Sequence, residues 1–184
     1  LTPCIIERGS HRIALVSYNC VGPEAAWASA TNAGCAYVRI DTSDGSPISP
    51  AAPLDTADAE SLRQMRSDIS RARSQHGFVI VALHKGIVHT PARLAPYERA
   101  VAHAAVESGA DVVISHHAHI ARGIELYRGR PIFHGLGNGC VVTRALSPQS
   151  LDPARAAWAV KRQTLFGFTP DPAYFLAPFH PEAV

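Results

Sequence analysis

The 184-residue sequence contains four cysteines, Cys4, Cys20, Cys35 and Cys140, and no two of them form a C-x-x-C pair or follow zinc-finger spacing. A thiolate metal site or a dithiol redox motif is thereby excluded. The cysteines read as small buried apolar residues, with a disulfide between two of them left open. No G-x-S-x-G stretch occurs, which removes the nucleophile elbow of an α/β hydrolase. No apolar run approaches the roughly 18 residues of a spanning helix, and no charged-then-apolar leader opens the chain. Strong charge of either sign is also missing: 17 Lys and Arg against 15 Asp and Glu give a formal net charge of +2, so nothing electrostatic points to nucleic acid. The densest basic stretch, 63–73, is spaced around a helical pattern with Glu60 and Asp68 nearby. It reads as a solvated helix face rather than a phosphate track.

What remains is an ordinary globular balance, 47% hydrophobic and 17% charged, in a chain long enough for one domain with its own core. The sequence opens on Leu1 rather than Met and enters strand-like residues at once. The expectation is that further residues precede it in the natural protein.

Apolar runs at 4–8 and 11–18 flank a Gly-Ser turn and predict a hairpin. Pro23 heads an Ala-rich stretch that predicts a short helix over 23–31, closed by Gly34. Residues 37–40 are strand-like, and the proline-rich stretch 42–53 is a loop. Leu62, Met65 and Ile69 recur at helical spacing within 56–75, with Thr56 or Asp58 as cap and Gly77 as stop. The run 78–83 is a buried strand ending on His84. A helix follows from about Ala95, with Leu94, Tyr97, Val101 and Ala105 on its sheet-facing side and His103 on the other. Residues 112–114 form a second buried strand, and 123–127 with 131–134 flank Arg128-Gly129-Arg130 as a hairpin. Strand, helix, strand in alternation predicts a layered α/β fold. The glycine string 135–139 precedes Cys140-Val141-Val142-Thr143 rather than a helix, so close backbone packing explains it better than a nucleotide loop. Beyond Arg144, prolines interrupt every pattern except a helix near 154–160 and a strand at 164–168. This tail, 144–184, is expected to wrap the sheet.

Chemistry concentrates in Ser115-His116-His117-Ala118-His119. Ligand sites in open α/β sheets lie outside the carboxyl ends of the strands, and two apolar strands here each deliver histidine at that end. Imidazole suits zinc, iron or manganese because it is mostly unprotonated near neutral pH. The strand period of two puts His117 and His119 on one face, with His84 as a third nitrogen from the neighbouring strand. His116 falls on the opposite face, as a supporting or capping residue. The competing reading is that these are polar strand-end residues bonded to backbone. His89 and His134 are open between the two readings, while His11, His76, His103 and His180 read as surface or locally bonded residues.

Four segments resemble the CapA/PgsA family of bacterial capsule and poly-γ-glutamate synthesis proteins, relatives of calcineurin-like metallophosphoesterases. His84-Lys85-Gly86 resembles the family's H-W-G, and 107–119 resembles its G-A-D-x-V-I-G-H-H-P-H. Residues 124–133 resemble its E-x-Y-x-G-x-P-I-x, and Gly135-Leu136-Gly137-Asn138 its S-L-G-N. The resemblance implies a layered metallophosphoesterase-like sheet sandwich flanked by helices, here without its amino-terminal half. It also implies a centre of two divalent transition metals (Zn, Mn or Fe) with His84, His117 and His119 as ligands, and Asn138 and His116 as catalytic candidates orienting substrate or water. Family members add an Asp, an Asn-x-Glu and an Asn-Asn-His from an upstream half, motifs that this chain lacks, and Lys85 and Val88 stand where they carry Trp and Glu.

The reading that follows is a metal-dependent hydrolase of capsule or poly-γ-glutamate assembly. Its rival is a non-catalytic accessory protein that binds an anionic polymer during assembly or export. Lys85 beside a metal pocket would favour a phosphate- or carboxylate-bearing ligand. The resemblance places such proteins at the bacterial cell envelope.

Overall fold

A computed structural model describes residues 1–48, 52–88, 90 and 92–138. The expectations for the 144–184 tail, for the segment following Gly139 and for His89 and His180 lie outside these residues.

The predicted hairpin is present as β1 (Cys4–Arg8) and β2 (His11–Asn19). It is followed by β3 (Ile40–Thr42), β4 (Leu54–Ala57), α1 (Ala59–Gln75), β5 (Phe78–Lys85), α2 (Pro96–Glu107), β6 (Val112–His117), β7 (Ile124–Tyr127) and β8 (Arg130–Phe133). Six strands form one sheet in the order β1-β2-β5-β6-β8-β7, and β3 pairs with β4 apart from it. The central strands β2, β5, β6 and β8 run parallel, with antiparallel β1 and β7 at the edges. The α/β class expected from alternation is therefore found, and with it a sheet whose carboxyl strand ends gather on one side.

Alternation along the strands decides where the core lies. Ala14, Val16 and Tyr18 of β2, Val79, Val81 and Leu83 of β5 and Val113 of β6 are buried towards the helices. Their alternates Leu15, Ile80, Val112 and Ile114 are only half-buried. Helix α1 meets the sheet through Met65, Ile69 and Ala72, spaced four and three apart. Of its two predicted caps Asp58 serves, accepting from the Ser61 backbone N–H at 2.8 Å. Helix α2 buries Tyr97, Val101 and Ala105 as expected. The basic stretch 63–73 is matched by carboxylates: Arg66 with Glu107 at 3.0 Å, Arg73 with Asp111 at 2.7 Å, Arg71 with Asp68, and Arg63 with Glu60. The β7–β8 turn carries Arg128 and Gly129 at φ 50° and 75°, the left-handed pair that a two-residue hairpin requires.

Three expectations are corrected. The helix over 23–31 shrinks to a single 3-10 turn, Glu24–Ala26. Backbone bonds from Ala28 to Cys35 (3.0 Å) and from Cys35 to Ala26 (2.9 Å) fold the segment back on itself, and Trp27 stacks on Tyr37 with centroids 4.0 Å apart. Gly34 permits this closure, since a Cβ there would lie 2.5 Å from the Trp27 carbonyl carbon. The strand expected at 37–40 starts only at Ile40, leaving Tyr37 with one isolated bridge to Asn19. Of the three described cysteines, Cys20 alone is a buried apolar residue; Cys35 is half-buried, Cys4 is exposed, and all three are free thiols.

Candidate functional site

Parallel pairing of β5 with β6 sets His84 opposite His116 and Lys85 opposite His117. Since neighbours along a strand point to opposite faces, β5 delivers His84 to one side of the sheet and Lys85 to the other, and the in-register His116, expected on the face opposite the cluster, shares the side of His84. On the side away from the helices, the Nδ1 atoms of His84 and His116 lie 2.7 Å apart. Two neutral imidazoles at that distance must share a proton, one donating through Nδ1–H and the other accepting. In register with His84 on its other flank stands Asn19, the last residue of β2. A cavity of about 480 Å³ opens there, lined by Ser17, Asn19, Cys35 and His84 among others.

Strand β6 does not continue through the motif. It stops at His117, where φ is 95°, and His119 follows at φ 61°. Left-handed backbone at a residue with a Cβ costs roughly 1–2 kcal/mol, and two such positions within three residues mark a strained turn of the kind found at functional sites. The relation between His117 and His119 is therefore set by this turn, not by the strand period of two. Their ring centroids are 6.1 Å apart, whereas His117 lies 4.6 Å from His84. The Asn138 amide grips His119 at two points, its Oδ1 lying 2.5 Å from His119 Nδ1 and its Nδ2 donating to the His119 carbonyl at 2.8 Å. An amide oxygen only accepts, so His119 carries its proton on Nδ1. The position of Asn138 depends on Gly135, where a Cβ would press on the Ile120 carbonyl at 2.9 Å. Gly135, the first of the glycine string, thus provides close backbone packing beside the site.

Burial is the first cause that holds these rings neutral. It depresses His117 to about 3 and His84 to about 4, with the neighbouring imidazoles adding to the effect, and it lowers His116 as well. His117 Nε2 is buried and has no hydrogen-bond partner. Neutral imidazole is a donor type that transition metals accept, and a buried ring nitrogen without a partner is what such a ligand would offer. Among the described residues, however, no three His, Cys, Asp or Glu side chains stand as a ready set of ligands.

On the helix side the same strand ends build a different environment. Lys85 does not border the histidines. It is fully buried, and its Nζ donates to Glu98 Oε2 at 3.0 Å and lies 3.3 Å from His134 Nδ1. Glu98 also pairs with Arg122 (3.2 Å) and accepts from the Ala95 N–H (2.8 Å). His134 Nε2 lies 2.8 Å from Glu125, which is shared with His103 at 2.7 Å. His134 is thus spent on a carboxylate, and His103, read as a surface residue, is part of the same chain. Sequence reasoning missed Glu98, Arg122 and Asn19. Alternation held the signal for Glu98: a lysine directly after an outward histidine must point inward, and a buried lysine needs a buried carboxylate. Asn19 was marked by its place at the end of a parallel strand; nothing local marked Arg122.

Fold and site together define a mixed α/β domain with a neutral histidine cluster at the carboxyl ends of two adjacent parallel strands. The family "Bacterial capsule synthesis protein PGA_cap" matches residues 1–141, well over half of the chain, and the protein belongs to that family. It is similar to an uncharacterized protein of Sinorhizobium fredii, 34% identical over 86 residues, covering 45% of this chain and 18% of the relative. To PGA biosynthesis protein CapA of Bacillus subtilis it is 36% identical over 70 residues, covering 38% and 18%. To a probable polyglutamine synthesis accessory protein of Mycobacterium tuberculosis it is 46% identical over 44 residues, covering 24% and 12%. The matches thus span less than a fifth of each relative's length.

Proposed function

We propose that this chain supplies the histidine portion of a metal-dependent hydrolytic centre in a protein of bacterial capsule or poly-γ-glutamate synthesis. The observation that carries this reading is the convergence of neutral imidazoles from two strand ends around the unpartnered Nε2 of His117. His84, His117 and His119 are the proposed ligands, with Asn138 orienting His119. A bound divalent ion would polarise a phosphoryl or acyl oxygen and lower the pKa of a bound water. The chain's own contribution is to keep His84 and His117 unprotonated by burial, to hold His119 through Asn138, and to offer the cavity between Asn19 and His84 to an anionic polymer segment. No helix among the described residues is long and apolar enough to cross a membrane.

The test is metal content. Protein loaded with Zn²⁺ or Mn²⁺ and desalted retains stoichiometric metal under this reading, and His117→Ala abolishes it. Retention undiminished in His117→Ala would refute the ligand assignment. A second reading, of a non-catalytic accessory protein that binds an anionic polymer, is favoured by the lack, among the described residues, of a carboxylate within the histidine cluster and of a ready ligand set. Metal-free protein that binds poly-γ-glutamate equally well with His117→Ala would establish it.

A further inference from the structure

The loop after His84 and the loop after His119 are tied together by one buried guanidinium. Arg122 Nη2 donates to the carbonyls of Ile87 (2.5 Å) and Thr90 (3.0 Å), while Nη1 faces both oxygens of Glu98 at 3.2 and 3.3 Å. Arg122 is itself fixed through its backbone N–H, which donates to the Gly135 carbonyl at 3.0 Å. Glu98 is anchored by Ala95 and Lys85, so the fork has a rigid seat. Between the loops sits Gly86 at φ 124°, where a Cβ would come within 3.2 Å of Arg122 Nη1 and 3.3 Å of Glu98 Oε2. The first loop continues the strand that ends on His84 and Lys85, and the second continues the turn that carries His117 and His119. The β5–β6 ladder fixes the strand ends against each other, and beyond the ladder Arg122 bridges the two loops.

We infer that Arg122, seated on Glu98 and Lys85, is the positioning residue that fixes the His84 loop against the His117–His119 turn. A planar fork that spans two carbonyls and a carboxylate does this, and a lysine cannot. The inference rests on reading the histidine cluster as the functional site. It goes beyond that reading by placing the control of ring spacing on the opposite face of the sheet.

Arg122→Lys keeps a cation opposite Glu98 and removes the fork. In the folded, metal-free variant, amide exchange at 86–88 should quicken at least tenfold, and the imidazole nitrogen shifts of His84 and His117 should move. In parallel, Co²⁺ should bind about tenfold more weakly with an altered visible spectrum. A folded variant with exchange rates and ring shifts at wild-type values would overturn the inference, whatever its melting temperature. Should Arg122→Lys not fold, Glu98→Gln is read by the same two signals, with about threefold faster exchange expected and unchanged signals overturning the inference. If the wild-type protein takes up no Co²⁺, the metal reading falls, while exchange and ring shifts in the metal-free variants still decide the positioning role.

Discussion

His84 and Lys85 are adjacent in sequence and inhabit opposite electrostatic worlds. Behind the sheet, Lys85, Glu98, Arg122, His134 and Glu125 form a buried network whose charges oppose one another at hydrogen-bond distance. In front, imidazoles face each other with no carboxylate among them in the described residues, and the buried His117 Nε2 is left unpartnered. Behind the sheet Arg122 Nε is also buried without a partner, but every charge there meets an opposite charge, whereas the histidine side shows no counter-charge among the described residues. A buried polar cluster without counter-charges is characteristic of function; one whose charges are paired is characteristic of structure.

Removing a partner should therefore be expensive behind the sheet and cheap in front of it. Glu98→Ala strands two buried cations and should cost about 3–5 kcal/mol in urea denaturation. A loss under 1 kcal/mol would show that the network does not hold the loops. Acidification tests the front. The folded values of His84 and His117 lie below the ordinary value of 6.5, so from about pH 6.5 down to about pH 4 for His84 and about pH 3 for His117 the unfolded chain binds protons that the folded chain refuses. Stability should fall with falling pH across that window, by on the order of 2 kcal/mol by pH 5 for His117 and by less for the half-buried His84. A double His84→Gln, His117→Leu variant should flatten the curve, and an unchanged slope would contradict the assignment. His117→Leu alone removes a buried polar atom that lacks a partner, so the metal-free protein should be unchanged or about 1 kcal/mol more stable. A loss above 2 kcal/mol would place His117 among the structural residues. Smallest of all, Arg63→Ala breaks only the exposed pair with Glu60 and should change stability by less than about 0.5 kcal/mol.

Most of the architecture was legible because it is written in local periods. The hairpins, both helices, their caps and the two buried strands follow from alternation, helical spacing and turn residues. The 23–31 segment misled because its Ala-rich composition is outweighed by Trp27–Tyr37 stacking and Gly34, contacts made across the chain. At the site, the sequence placed His84, His116 and His117 at neighbouring strand ends. It could not disclose that the strand stops at His117, because left-handed backbone at histidine leaves no compositional trace. The polar network was hidden for a different reason: Glu98 lies 13 positions from Lys85 and Arg122 lies 24 positions from Glu98, and each alone looks like a surface residue.

The central claim is that the front cluster is completed by a divalent ion. Calorimetric titration of the metal-free protein with Zn²⁺ tests it most directly, with His117→Leu as the paired sample because it preserves the fold. The account predicts saturable binding in the wild-type protein that is lost in His117→Leu, with both proteins melting alike before metal is added. Equal heats in the two proteins, or none in either, would contradict it.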